Sequence, residues 1–247
     1  MIRGLIYWIG GIIFTFIMFI VLLSVQPFIS KKSKVPHKLT RFWANFLVKI
    51  LCGVKYDVEG LENIIPDETY VIVSNHRSFM DILIASAVFP YPFLWLAKDS
   101  LFRIPIIGQA MKILGYIPVE REKYISAHRS LMVVKEALEE GSSVWIFPEG
   151  TRTPKEVLGR FKRGAFIIAK ETNRPLLPVT FYGTDKIFIT PLRVRKNRVI
   201  VRMEKPIYIS DFVADGKEIK EKDIVSALSE RVRKILQDTY NHYAGKS

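Results

Sequence analysis

The strongest constraint on this chain is an uninterrupted apolar run near its start. The first thirty residues carry a single charged side chain, Arg3, and Leu5 to Val25 reads LIYWIGGIIFTFIMFIVLLSV. As a helix that run is roughly 31 Å long at ~1.5 Å per residue, enough to match the hydrocarbon thickness of a bilayer. A cleaved secretory signal has a shorter apolar centre, about 7–15 residues, and a small-x-small cleavage site. Here the run ends in Ser24-Val25-Gln26-Pro27, so the segment is expected to be retained. Lys31, Lys32, Lys34, Lys38 and Arg41 follow it, whereas only Arg3 precedes it. That bias places the remainder of the chain on the cytoplasmic side of a cell membrane.

A second helix is predicted over Lys38 to Leu51. Leu39, Phe42, Trp43, Phe46, Leu47, Ile50 and Leu51 form one stripe, and Lys38, Arg41, Asn45 and Lys49 lie opposite. Such a helix either lies in the headgroup plane or packs on the soluble core, and periodicity does not separate the two. Pro27 and the lysines also permit a hairpin that enters one leaflet and returns. Membrane attachment through residues 1–53 is therefore expected, with its depth open.

The remaining residues, 54–247, read as one α/β domain. Short strand-like runs are Lys55 to Val58, Tyr70 to Ser74, Phe93 to Ala97, Tyr116 to Val119, Val144 to Phe147, Leu176 to Phe181 and Val199 to Met203. They alternate with helical patterns at about Phe79 to Phe89, Pro105 to Leu114, Ile125 to Glu140 and Gly164 to Thr172. A last amphipathic helix follows, with Val225, Leu228, Val232 and Ile235 on one side. This order predicts a mixed, largely parallel sheet flanked by helices. With 37 Lys+Arg against 24 Asp+Glu the net charge is +13, which suits a partner rich in phosphate or an acidic protein. One cysteine, Cys52, excludes an intramolecular disulfide framework, and four scattered histidines argue against a structural metal site.

In open α/β sheets, ligands collect beyond the carboxyl ends of the strands. Two segments there invite chemistry. Ser74-Asn75-His76-Arg77-Ser78-Phe79-Met80-Asp81 leaves the strand TYVIVS and enters a helix. Five residues across such a turn can fold back, so that the Asp81 carboxylate fixes the His76 tautomer and leaves the other ring nitrogen to take a proton. No nucleophile of the chain accompanies the pair, so an alcohol substrate attacking an already activated acyl thioester would complete it. On these residues alone, Ser78-x-x-Asp81 reads equally well as a helix capping box, with His76 an ordinary loop residue.

The segment NHRSFMD, residues 75–81, resembles the Asn-His-x-x-x-x-Asp block of the glycerolipid acyltransferases, and three further blocks follow in order. Gly115-Tyr116-Ile117-Pro118-Val119-Glu120-Arg121 is similar to the second, Phe147-Pro148-Glu149-Gly150-Thr151-Arg152 to the third, and Leu177-Pro178-Val179 to the fourth. Within that family the likeness is greatest to the bacterial enzymes acting on 1-acyl-sn-glycerol 3-phosphate. The resemblance implies acyl transfer from acyl carrier protein or coenzyme A thioester to the sn-2 hydroxyl of lysophosphatidic acid, giving phosphatidic acid for phospholipid synthesis. It implies His76 as general base, Asp81 as its orienting partner, and no metal or organic cofactor.

A phosphomonoester headgroup calls for guanidinium or ammonium donors. Arg152 is the first candidate, with Glu149, Gly150 and Thr151 forming its turn and Glu149 pairing with a neighbouring arginine. Lys98, ending FLWLAK, and Arg121, ending another strand, face the same crevice if the sheet is parallel. Lys162 and Arg163 are either further phosphate contacts or solvated surface. A sister enzyme acting on glycerol 3-phosphate or another lysophospholipid uses the same pair, and a basic, non-enzymatic membrane-binding protein is the alternative from another class. The apolar N-terminal segment and the lack of a recognised nucleic-acid motif argue against nucleic acid as partner.

Overall fold

A computed structural model describes residues 2–30, 33–119, 124–153, 157–190, 193–195, 198–212 and 221–245. The helices are α1 (Ile2–Val25), α2 (Val35–Asn45), α3 (Met80–Val88), α4 (Ile107–Ile113), α5 (Tyr124–Glu139), α6 (Gly164–Thr172) and α7 (Glu221–Ala244). The strands are β1 (Lys55–Glu59), β2 (Val71–Ser74), β3 (Phe93–Lys98), β4 (Ile117–Val119), β5 (Ser143–Ile146), β6 (Leu176–Tyr182), β7 (Phe188–Thr190), β8 (Arg193–Val194) and β9 (Arg198–Met203).

Seven strands form one sheet in the order β1-β9-β6-β2-β5-β3-β4. The stretch from β6 to β4 is parallel throughout, and β9 reverses direction against β6 with β1 parallel to it. The expected mixed, largely parallel sheet is thus present. Its central strands β2, β5 and β6 are buried at every position because both faces are covered, and they are apolar but for Ser74, Ser143 and Thr180. Successive side chains of a strand point to opposite faces. Tyr70, Ile72 and Trp145 accordingly pack with α3 and the N-terminal helices, while Val71, Val73, Val144 and Ile146 pack with α5, α6 and α7.

α3 is buried at every position from Leu83 to Val88 because α2 covers its outer side. The Ala87 carbonyl at the end of α3 accepts from Arg41 Nε at 3.2 Å and Asn45 Nδ2 at 3.1 Å, so α2 caps α3. The predicted second helix starts earlier, at Val35, and its last turn, Phe46–Leu51, widens into a π-helix. Its apolar stripe is divided: Leu47 is buried with Ala44 and Val48, while Phe42 and Ile50 remain exposed.

α1 runs beside α2. Phe14 stacks on Phe46 at 4.0 Å between ring centroids, and Trp43 Nε1 donates to Thr15 Oγ1 at 3.0 Å. Tyr7 enters the same core as Leu47 and Val48, so this helix is bonded to the domain along its length. Its opposite face leaves Leu5, Ile9, Ile12, Ile13, Phe16, Ile17 and Ile20 exposed, and the stretch Gly4–Phe28 is long and apolar enough to cross a membrane.

The small hairpin of β7 and β8 was not legible in the sequence, since its strands are too short for any period to register. Helix α4 begins two residues later than Pro105 because Ile106 holds φ 66° and ψ −60°, and Ile107 N donates to Pro105 O at 2.7 Å. That is a tight γ-turn, uncommon for a β-branched residue. Gly108 follows it of necessity, since a Cβ there would lie 2.2 Å from the Phe102 carbonyl oxygen.

Candidate active site

β2 and β5 end side by side, and the loops that leave them carry both sequence blocks of chemical interest. The loop after β2 is locked before α3 begins. The buried Asn75 amide donates from Nδ2 to Phe181 O at 2.8 Å and accepts Phe181 N at 2.8 Å, copying a backbone pairing with β6. The next residue, His76, therefore starts from a fixed point at the mouth of the sheet.

Asp81 is fully buried in the first turn of α3. Its Oδ2 lies 2.8 Å from His76 Nδ1, and accepts Arg77 N at 2.6 Å and Ser78 N at 2.8 Å. The capping role and the chemical role, which compete when read from spacing, coexist on one oxygen. Because a carboxylate only accepts, Nδ1 carries the hydrogen, and the lone pair sits on Nε2, which no described residue engages. The imidazole is further held by its face, stacked on Phe147 at 3.9 Å and 14°, with Trp95 stacked on Phe147 in turn at 5.3 Å. Its side chain keeps 12% of its surface exposed.

The backbone of His76 is also fastened at both ends. His76 N donates to Glu149 Oε1 at 3.0 Å, and His76 O accepts Thr153 N at 2.8 Å. Glu149 Oε2 accepts Gly159 N at 3.0 Å, so this buried carboxylate ties the loop after β2 to a second point of the connection between β5 and α6. This corrects the expectation that Glu149 pairs with an arginine: Glu149 is buried and its two oxygens accept backbone amides, whereas Arg152 is exposed. Gly150 adopts φ 72°, and the Lys162 side chain lies over it, with Cε 3.0 Å from where a Cβ would stand. The turn closes through Gly150 N to Phe147 O at 3.0 Å.

Thr151 and Arg152 project from this turn and are exposed. Lys98 is exposed at the carboxyl end of β3, and β3 runs parallel to β5. Neither Arg152 nor Lys98 has a hydrogen-bond or carboxylate partner among the described residues, so both cations are available to an anion. Arg121, with Glu120, lies outside the described residues. Asn75, Arg77, Phe147 and Thr153 were not singled out from sequence. Asn75 and Phe147 carried a signal as members of the first and third blocks, and Arg77 stands within the first, but none of the four had been given a role.

Among the described residues no group of His, Cys, Asp and Glu could hold a metal ion. Cys52 lies in the core beside Tyr7, and burial pushes its thiol up to about 12, so it is not poised as a nucleophile. The hydroxyls of the histidine loop lie on other partners: Ser74 Oγ accepts Trp145 Nε1 at 2.8 Å, and Ser78 Oγ accepts Met80 N at 3.3 Å.

Comparison with known proteins places this geometry in context. An acyltransferase family model matches residues 55–182. A chloroplastic 1-acyl-sn-glycerol-3-phosphate acyltransferase of Brassica napus is 34% identical over 236 residues, covering 92% of this chain and 68% of the relative. A 1-acyl-sn-glycerol-3-phosphate acyltransferase of Borreliella burgdorferi is 40% identical over 139 residues, 56% of each chain. The chain thus spans between about half and two thirds of the length of these relatives. The crystal structure of the 1-acyl-sn-glycerophosphate (LPA) acyltransferase from Thermotoga maritima shares the fold, with a TM-score of 0.70 at 22% identity, over 96% of this chain and 98% of that one. The matched segment contains the histidine loop, the buried carboxylate that orients it and the braced turn after β5, and by that match the chain belongs to the acyltransferase family.

Proposed function

We propose that this protein transfers a fatty acyl group from a thioester to the sn-2 hydroxyl of 1-acyl-sn-glycerol 3-phosphate, forming phosphatidic acid at a membrane surface. The observation that carries this reading is the His76–Asp81 pair, 2.8 Å apart, with Nε2 unengaged and no hydroxyl or thiol of the described residues hydrogen-bonded to the ring. An imidazole so arranged activates a hydroxyl brought by the substrate. Nε2 takes the proton as the lipid oxygen attacks the thioester carbon. The tetrahedral intermediate then collapses with cleavage of the C–S bond, and the imidazolium returns the proton to the departing sulfur. Asp81 stays ionised and offsets the imidazolium charge.

Arg152 and Lys98 hold the acceptor's phosphate through charge-assisted hydrogen bonds. The donor is acyl carrier protein or coenzyme A thioester, both anionic and attracted by a net charge of +13. No metal or organic cofactor takes part. The exposed apolar face of α1, with Phe42 and Ile50, seats the domain in the bilayer from its cytoplasmic face, so that the lipid acceptor enters laterally and the donor from water.

The test is an assay of the purified protein in mixed micelles with labelled acyl carrier protein and coenzyme A thioesters, offered lysophosphatidic acid, glycerol 3-phosphate or lysophosphatidylcholine. Phosphatidic acid formation that disappears in His76→Ala is the expected result. Transfer to glycerol 3-phosphate alone, or a His76→Ala enzyme of undiminished rate, would refute the assignment.

A further inference from the structure

We infer that one face of the C-terminal helix α7, carrying Arg233, Gln237 and Tyr240, is a splint that sets the position of His76 for the reaction proposed above, on which this inference rests. These residues stand at spacings of four and three, which places them on one side of a helix. Each engages a loop of the active site. Gln237 Oε1 accepts Leu158 N at 2.8 Å, and Arg233 Nη2 donates to Leu158 O at 3.3 Å, so the helix grips the backbone of Leu158 at both ends. Tyr240 presents its ring face to the Arg77 guanidinium, whose carbon lies 4.1 Å from the ring centroid. Both partners are buried, Arg77 at 3% exposure and Tyr240 at 4%.

From these contacts two routes of hydrogen bonds lead to the two ends of the His76 peptide. In the first, Gln237 and Arg233 hold Leu158, the adjacent Gly159 N donates to Glu149 Oε2, and Glu149 Oε1 accepts His76 N. In the second, Tyr240 holds Arg77, Arg77 Nη1 donates to Thr153 O at 3.2 Å, and Thr153 N donates to His76 O. α7 is in turn fixed to the far side of the sheet. Tyr243 Oη donates to Glu59 at 2.6 Å, Thr239 Oγ1 to Glu204 at 2.7 Å, and Tyr240 packs edge-on against Tyr182 at the end of β6. The catalytic loop therefore takes its position from β6 through Asn75 and from α7 through Arg77. Arg77, Arg233, Gln237 and Tyr240 are positioning residues rather than catalytic ones, and α7 lies beyond the segment that the family model matches, 55–182.

The experiment compares the full-length protein in detergent with Tyr240→Leu, Gln237→Met and the conservative Tyr240→Phe, by amide hydrogen exchange and by steady-state kinetics. Exchange at the His76 and Thr153 amides is expected to rise about tenfold in Tyr240→Leu and Gln237→Met, with amides 71–73 of β2 unchanged. In the same two variants kcat falls about tenfold while both KM values stay within about twofold. Tyr240→Phe keeps the ring face and behaves as the wild type, since a cation over an aromatic face needs no hydroxyl. Unchanged exchange at His76 and Thr153, a uniform rise that includes β2, or equal damage from Phe and Leu at position 240 would overturn the inference. Arg77→Lys, which retains charge but loses the planar stack, tests the same contact from the other side if Tyr240→Leu does not fold. A wild-type enzyme without transferase activity would refute the functional reading alone, and the exchange data would still decide this one.

Discussion

The substitution Asp81→Asn isolates what the buried carboxylate contributes. Oδ2 accepts two backbone amides, Arg77 N at 2.6 Å and Ser78 N at 2.8 Å, in addition to facing His76 Nδ1 at 2.8 Å. Those amides dictate how an asparagine must sit. Its carbonyl oxygen takes the Oδ2 place, because an NH2 group there would point at two N–H donors. The imidazole then keeps its tautomer, and only the negative charge is lost. For charges about 4 Å apart at an effective dielectric of about 20, that charge is worth about 4 kcal/mol to the imidazolium formed during proton transfer. At about 1.4 kcal/mol per decade this corresponds to a kcat loss of roughly a thousandfold. Binding is untouched, so both KM values should stay near those of the wild type. Thermal stability should hold, because Oδ1 is buried without a partner among the described residues and a neutral amide costs less to bury there than a carboxylate. The measurement is steady-state kinetics of donor and acceptor together with a melting curve. A kcat within tenfold of wild type, or a loss residing wholly in KM, would refute the argument.

Arg152→Ala should raise the acceptor KM by roughly 10–100-fold, the loss of a charge-assisted bond worth about 1.5–3 kcal/mol, while the donor KM stays constant. An equal effect on a monoacylglycerol lacking phosphate would show that Arg152 reads something else. Glu149→Gln replaces one of two acceptor oxygens with an NH2 group, so either His76 N or Gly159 N loses its partner at a cost of about 1–3 kcal/mol. The expected result is a melting temperature lower by about 5 °C, together with reduced kcat. A variant with native melting and native kcat would mean the brace is idle. His37 supplies a pH test: its Nε2 is buried without a partner among the described residues, and burial holds the imidazole down to about 4 from its usual 6.5. The unfolded chain therefore binds the proton first as pH falls. Stability is complete above about pH 6.5 and declines toward pH 4, by about 3 kcal/mol in all. Denaturant unfolding at pH 7 and pH 5 should show the decline in wild type and a flatter curve in His37→Gln; identical slopes would refute the origin.

Much of the site was legible in the chain because its parts are local. His76 and Asp81 are five residues apart across a strand-to-helix turn, and a fold-back of that length is set by short-range geometry. The central strands of the sheet were legible because burial on both faces demands predominantly apolar runs, as in VIVS and LLPVTFY. The role of Glu149 was not legible, since its partners are backbone amides at residues 76 and 159, and backbone groups leave no signature of identity. Nor was the contact of Arg77 with Tyr240, which joins the beginning of the domain to its last helix.

By itself the sequence determined that the chain carries a long apolar N-terminal helix, a layered α/β domain and a histidine with its carboxylate, because each depends on residue type at short spacing. Only the tertiary structure decided that α1 lies against α2 and the core rather than standing apart, and that the turn after β5 braces His76 through a buried acid. It also decided that α7 reaches back to the loop after β2. These are contacts between segments far apart along the chain, made by shape and by main-chain hydrogen bonds, and no local pattern of side chains encodes them.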